Sequence, residues 1–100
     1  MRKITKQMLT AYNNGQSFKS SNTKVIVNGN SSCGTLTQIY LFENLIAEDS
    51  DEGLKITNCG WKTDTTKERL NALPNVSIHQ NKGKWYLNGN EWNGEWTKVI

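Results

Sequence analysis

The stretch Trp85-Tyr86-Leu87-Asn88-Gly89-Asn90-Glu91-Trp92-Asn93-Gly94-Glu95-Trp96 decides how the 100-residue chain is read. Asn-Gly tolerates two consecutive left-handed residues better than most dipeptides, so Asn88-Gly89 predicts a type I′ reversal between two strands. A two-residue loop at that point sets Leu87 opposite Asn90, Tyr86 opposite Glu91 and Trp85 opposite Trp92, which puts both tryptophans on one face. Asn93-Gly94 repeats the turn chemistry, so the tail is a tryptophan-anchored hairpin that closes whatever precedes it.

Immediately upstream, Val76-Ser77-Ile78-His79-Gln80 alternates as a half-buried strand, and Asn81-Lys82-Gly83 turns the chain into Lys84-Trp85-Tyr86-Leu87. Before it, Thr63-Asp64-Thr65-Thr66-Lys67-Glu68-Arg69-Leu70-Asn71-Ala72-Leu73-Pro74 predicts a helix. Asp64 or Thr65 is the expected cap, Glu68 the capping-box partner of Thr65, Leu70 and Leu73 the apolar contact, and Pro74 the stop.

At the other end, Thr5 is the expected N-cap of a helix through Asn13, with Met8, Leu9 and Tyr12 on one face and Asn14-Gly15 as its end. After a polar stretch from Gln16 to Asn22, Thr23-Lys24-Val25-Ile26-Val27 is β-branched, and Asn28-Gly29 predicts a turn. Thr35 to Phe42 is the most β-prone segment; Glu43-Asn44 separates it from Leu45-Ile46-Ala47. An acidic loop from Glu48 to Gly53 then leads into the alternating Leu54-Lys55-Ile56-Thr57.

The expected architecture is α+β, a single domain over residues 1–100. It is a small antiparallel β-meander of about five to seven short strands with two short helices. At 35% hydrophobic and 21% charged residues the composition is that of a folded domain, not a disordered chain. A domain this short buries a modest share of its surface, so large aromatics must carry much of its stability. No apolar run is long enough to cross a membrane, and Met1 to Thr10 lacks a signal-peptide pattern, so a cytoplasmic protein with reduced Cys33 and Cys59 is expected.

Charge is divided along the chain. Residues 1–42 carry Arg2, Lys3, Lys6, Lys19 and Lys24 with no acid, whereas residues 43–52 carry Glu43, Glu48, Asp49, Asp51 and Glu52 with no base.

Catalytic and metal chemistry find little support. Cys33, Cys59 and His79 are separated by 26 and 20 residues, without the close ligand pairs of zinc sites. Neither a nucleophile signature nor a phosphate-cradling Gly-rich loop occurs. The acidic cluster reads as a solvated loop; it lacks the ligand spacing of an EF-hand. A Cys-His hydrolase would require Cys33 or Cys59 beside His79 in the folded state. No enzyme, cofactor or metal is expected.

The aromatic residues are more informative. Burying a large aromatic removes about 150 to 250 Å² from water, worth roughly 4 to 6 kcal/mol gross at about 25 cal/mol/Å². A domain stable by about 5 to 15 kcal/mol cannot leave all four tryptophans outside. Trp61 and Trp85 are therefore expected in the core, while for Trp92 and Trp96 both a place in the core and one as half-exposed anchors stay open.

From Trp61 to Pro74, through Val76 to Gln80 and on to Trp85-Tyr86-Leu87-Asn88-Gly89-Asn90-Glu91-Trp92-Asn93-Gly94-Glu95-Trp96, the chain resembles a family of small proteins encoded by bacteriophages and plasmids. Residues 28–38, with Ser31-Ser32-Cys33, lie outside the resemblance, which leaves open whether they are an insertion or part of the sheet. The resemblance implies a mobile-element origin and action inside a host cell.

Two partner classes follow. The first is a host protein, with restriction, BREX-type or CRISPR defence components as the implied class, held by Trp92, Trp96, Tyr86, Glu91 and Glu95 with Glu48, Asp49, Asp51 and Glu52 as a second contact. The second is nucleic acid, held by Arg2, Lys3, Lys6, Lys19, Lys24, Lys82 and Lys84, with Lys98 and stacking aromatics in support. The protein is expected to act as a monomer or small homo-oligomer.

Overall fold

The structure, a computed structural model, describes residues 2–30 and 34–100. Alternating apolar residues between tight turns build a meander. Strands β1 (Phe18–Ser20), β2 (Thr23–Asn30), β3 (Gly34–Leu41), β4 (Asn44–Ser50) and β5 (Gly53–Ile56) follow one another antiparallel. Helix α1 (Lys3–Asn14) precedes them. Helix α2 (Asp64–Asn71) leads to a second, three-stranded sheet of β6 (Ile78–Asn81), β7 (Lys84–Leu87) and β8 (Asn90–Glu91). The chain then returns as β9 (Thr97–Lys98), which pairs with β5 and makes the large sheet six-stranded. The expected α+β meander is thus present, with nine strands among the described residues. The additional pieces, β1 and β9, are only three and two residues long.

Register explains which face of the large sheet is covered. Val25 pairs with Ile39, Ile39 with Ala47 and Ala47 with Ile56, so one row of buried side chains crosses four strands. These residues join Met8 and Ala11 of α1, Leu70 of α2, and Ile78, Trp85 and Leu87 of the small sheet in a single core. The intervening residues Lys24, Ile26, Leu36, Gln38, Tyr40, Leu45, Glu48 and Lys55 are only half-buried. The molecule measures 45 × 28 × 20 Å. Since packed layers lie about 10 Å apart, the shortest axis accommodates two layers and leaves the second sheet face open.

The hairpin register expected from Asn88-Gly89 is present: Leu87 pairs with Asn90 and Tyr86 with Glu91, and the Trp92 amide donates to the Trp85 carbonyl at 2.9 Å. Asn88 and Gly89 have φ of 51° and 88°, and Lys82 and Gly83 have φ of 52° and 79°, the double left-handed signature of type I′ turns. Phe42 and Glu43 adopt the same conformation at 51° and 65° without a glycine. Side chains with a Cβ pay strain there, of order 1 kcal/mol or more each.

Several expectations require correction. Asn28-Gly29 does not turn: both lie inside β2, paired with Leu36 and Thr35, because a ladder running from Thr23↔Leu41 to Asn30↔Gly34 outweighs local turn preference. Residues 28–30 and 34–38 therefore belong to the sheet, while Ser31, Ser32 and Cys33 lie outside the described residues. Thr5 does not cap α1. The helix starts at Lys3 with no side-chain cap, and the buried Thr5 hydroxyl instead donates to Glu68 Oε1 at 2.7 Å. Nor does Glu68 close a capping box: Thr63 is the N-cap of α2, accepting from the Thr66 amide at 3.2 Å.

The acidic stretch is not a loop either. Glu48 and Asp49 are strand residues of β4, pointing to opposite faces as neighbours on a strand must. Only Asp51 and Glu52 occupy the turn before β5.

Candidate interaction surface

At one end of the large sheet β3 ends, β4 begins, β5 ends and β9 begins. Two loops meet there. The segment after β5 curls through Cys59 and Gly60, with φ of 53° and 82°, and the segment before β9 curls through Gly94, with φ of 92°. The Gly94 carbonyl accepts from the Asn58 amide at 3.1 Å and from the Thr57 hydroxyl. Asn58 in turn organises its own loop, its side-chain oxygen accepting from the Gly60 amide at 2.8 Å and its carbonyl from the Trp61 amide at 2.8 Å. The two loops are therefore one hydrogen-bonded unit.

Trp92 holds the second loop from beneath. Its indole N–H donates to the Glu95 carbonyl at 3.0 Å and the Thr97 hydroxyl at 2.9 Å, while its ring lies 6.3 Å from that of Trp85. Burial to 6% exposure makes Trp92 a structural residue, settles its open position in favour of the core and removes it from the expected partner contacts. The aromatic body enters the core and the polar tip finds two acceptors, the arrangement a buried indole requires. Trp85, at 2% exposure, is in the core as expected.

Trp61 was expected beside it and is not: it stands 53% exposed, and Trp96 48% exposed. The flanking Asn58-Cys59-Gly60 and Lys62-Thr63-Asp64 give Trp61 no large apolar neighbour at strand or helix spacing, a signal that sequence reasoning passed over. Phe42, 57% exposed on the β3–β4 turn, projects from the same end of the sheet. Between the loops and β7–β8 lies a cavity of about 340 Å³ lined by Lys62, Lys84, Glu91, Asn93 and Glu95 over the edges of Trp85 and Trp92. A second, of about 330 Å³, continues past Glu91, Trp92 and Glu95 towards Val99.

The other anticipated protein-contact residues are dispersed. Tyr86 is half-buried and stacks on His79 with rings 5.4 Å apart and 12° from parallel; Glu91 pairs with Lys84 at 3.3 Å. Glu48 accepts from Gln38 at 3.2 Å on the open sheet face. Asp49 is turned towards α1, where it accepts from the Tyr12 hydroxyl at 2.7 Å. Asp51 and Glu52 lie at the far end of β5 from Trp61 and Trp96, and Glu52 pairs with Lys55 at 3.7 Å.

The anticipated basic set divides in two. Lys3 and Lys6 on α1, and Lys19 and Lys24 on β1 and β2, gather at the sheet edge, whereas Lys82 and Lys84 belong to the small sheet. Arg2 pairs with Glu68 at 3.7 Å, and Lys98 is exposed opposite Lys55.

The perturbed titrating groups sit in the body of the fold. Burial, then the hydrogen bond to Asp49 and its charge, push the Tyr12 hydroxyl well above the usual tyrosine range. Burial works to raise Glu68, but the hydrogen bonds from Thr5 and the Arg2 backbone, with the charges of Arg2 and Arg69, hold it below the usual carboxylate range. Arg69 is drawn down by burial, with Glu68 opposing. Sequence reasoning missed this arginine: at 2% exposure it donates to Thr23 at 3.0 Å, Thr5 at 2.8 Å and Glu68 at 2.5 Å, fastening α2 to α1 and β2.

Among the described residues no three His, Cys, Asp or Glu side chains are grouped to hold a metal ion. No described helix is long and apolar enough to cross a membrane. Neither the curated proteins nor the solved structures contain a match to the chain. The family model described as Kyanoviridae Gp96 protein matches residues 1–99, and the chain therefore belongs to that family of phage proteins.

Proposed function

We propose that this phage protein works without catalysis, by binding a protein of the infected cell through the surface around Trp61 and Trp96. One observation carries the reading: two tryptophans stand about half-exposed on two loops that are hydrogen-bonded into one unit. Exposed indoles contribute nothing to the core. Burying the remaining half of each, on the order of 100 Å², would add roughly 2 to 3 kcal/mol per residue to an interface. Tryptophan on a held backbone is a preferred interface anchor, because it brings large area at small conformational cost.

Lys62, Lys84, Glu91 and Glu95 around the adjoining cavity supply the polar rim such a contact needs. Phage membership supports a cellular partner, and components of restriction, BREX-type or CRISPR defence complexes are the class to assay first.

The test is affinity capture from host lysate with the native protein and with Trp61→Ala/Trp96→Ala, followed by calorimetry of the captured partner in purified form. The double variant should weaken binding at least tenfold while keeping its circular dichroism. Equal affinity of the two proteins, or no host protein retained by the native chain, would defeat the proposal.

A further inference from the structure

We propose that the groove between α1 and the edge strand β1 binds single-stranded nucleic acid, with Lys3, Lys6, Lys19 and Lys24 on the phosphates and Phe18 under a base. A cavity of about 380 Å³ separates α1 from the segment entering β1, with Lys3 and Lys6 on its helical wall and Phe18 on the other. A second, of about 310 Å³, shares Ser17 and Phe18 with the first and is lined by Lys19 and Lys24. The two form one path around the sheet edge, and no acidic side chain lines either.

The fold does not explain this concentration of charge. Lys19 stands directly opposite Lys24 on paired strands, where like charges are destabilising. Helix α1 has no acid of its own in its first turn and no side-chain cap; Glu68 of α2 answers Arg2 there at 3.7 Å, but Lys3 and Lys6 add further charge to the end where the dipole is already positive. Both placements run against local stability, and local rules are characteristically broken where a ligand is bound. A polyanion turns both from repulsive to attractive. Among the described residues Lys3, Lys6 and Lys19 have no acidic partner; Lys24 has Glu43 at 3.2 Å.

Phe18 distinguishes the class of polyanion. It is half-buried against the core, at the centre of the basic path. An aromatic face flanked by lysines holds an unpaired base by stacking and its backbone by charge, whatever the sequence. A path that bends around a strand of three residues suits a flexible strand, not a rigid duplex.

Fluorescence anisotropy with a labelled oligothymidylate of about 12 nucleotides tests the site. Contact with four phosphates gives a slope of about −3 in log affinity against log salt, since each contributes about −0.7 on a single strand. Lys3→Gln/Lys6→Gln should reduce that slope to about −1.5. Phe18→Leu should weaken binding roughly five- to a hundredfold without changing the slope. Trp61→Ala/Trp96→Ala should bind as the native protein does, which separates this site from the protein-binding surface. Lys3 and Lys6 are exposed, so their double variant remains informative if Phe18→Leu loses its fold. The proposal is overturned by an absence of binding at low salt, in which case the lysines only guard the sheet edge, or by lysine variants that leave the slope intact. Equal affinity for a duplex, or binding to phosphatidylserine vesicles in place of the oligonucleotide, overturns it equally.

Discussion

Replacing Arg69 probes the one charge buried among the described residues, which joins separate parts of the fold. Its guanidinium is 2% exposed and donates to Thr5 of α1, Thr23 of β2 and the neighbouring Glu68. In Arg69→Met the stem is largely refilled, and no donor is orphaned: Thr5 still donates to Glu68 at 2.7 Å, and Thr23 to Asn22 at 2.9 Å. What disappears is a set of charge-assisted hydrogen bonds and the counter-charge of a partly buried carboxylate. Glu68 keeps 28% side-chain exposure and Arg2 at 3.7 Å, so solvent softens its loss. The cost should be about 2 to 3 kcal/mol, below the roughly 3 to 5 kcal/mol of a fully buried pair. Arg69→Ala adds a cavity and should cost about 4 to 5 kcal/mol.

Urea unfolding followed by tryptophan fluorescence measures both, and Tm should fall by about 10 to 20 °C for Arg69→Met. A double-mutant cycle sharpens the test: Thr5→Val should cost clearly less in the Arg69→Met background than in the native protein. An Arg69→Met variant within about 0.5 kcal/mol of native stability, or additive effects in the cycle, would refute the idea that this network fastens α1 to α2.

Other expectations concern backbone, proton and solvent. Gly94→Ala should destabilise by about 2 to 4 kcal/mol, because at φ 92° its Cβ would fall 2.2 Å from Asn58 Oδ1. Gly29→Ala, in open space within β2, should be neutral or slightly stabilising in the same melts. Tyr12 has a raised folded-state pKa, so the folded chain holds that proton more tightly than the unfolded one. Its contribution is complete below the ordinary tyrosine value of 10.0 and is lost as pH rises beyond it, and Tyr12→Phe should flatten alkaline stability curves. Glu68 has the opposite sign: its depressed pKa contributes stability above the ordinary carboxylate value of 4.5 that is lost as pH falls, and Glu68→Gln should remove that acid limb. Acrylamide should quench two tryptophans readily and two poorly, and only Trp61→Ala and Trp96→Ala should remove the accessible fraction.

Most of the backbone plan was legible in short windows of sequence. Asn88-Gly89 set the register of β7 on β8, Gly15 ended α1, and the alternation of Leu54-Lys55-Ile56 separated the two faces of β5. Each rests on steric preferences within a few residues, which the chain carries wherever it goes. The candidate site was only partly legible. Trp85 is buried as expected, but Trp61 stands outside, and the pair left open divides with Trp92 inside and Trp96 outside, because whether an indole is covered depends on what arrives from elsewhere in the chain.

What the sequence by itself determined is therefore the two helices, the turns at Lys82-Gly83 and Asn88-Gly89, and the class of α+β meander. Tertiary structure alone decided the return of β9 to β5, the continuation of β2 through Asn28-Gly29, the burial of Arg69 between Thr5 and Thr23, and the seam between Asn58 and Gly94 that joins the loops carrying Trp61 and Trp96. These partners are 36 to 64 residues apart along the chain where they join distant segments, as Asn58–Gly94 and Thr5–Arg69 show. No local window contains both, so their pairing is settled only by which packing buries the shared core.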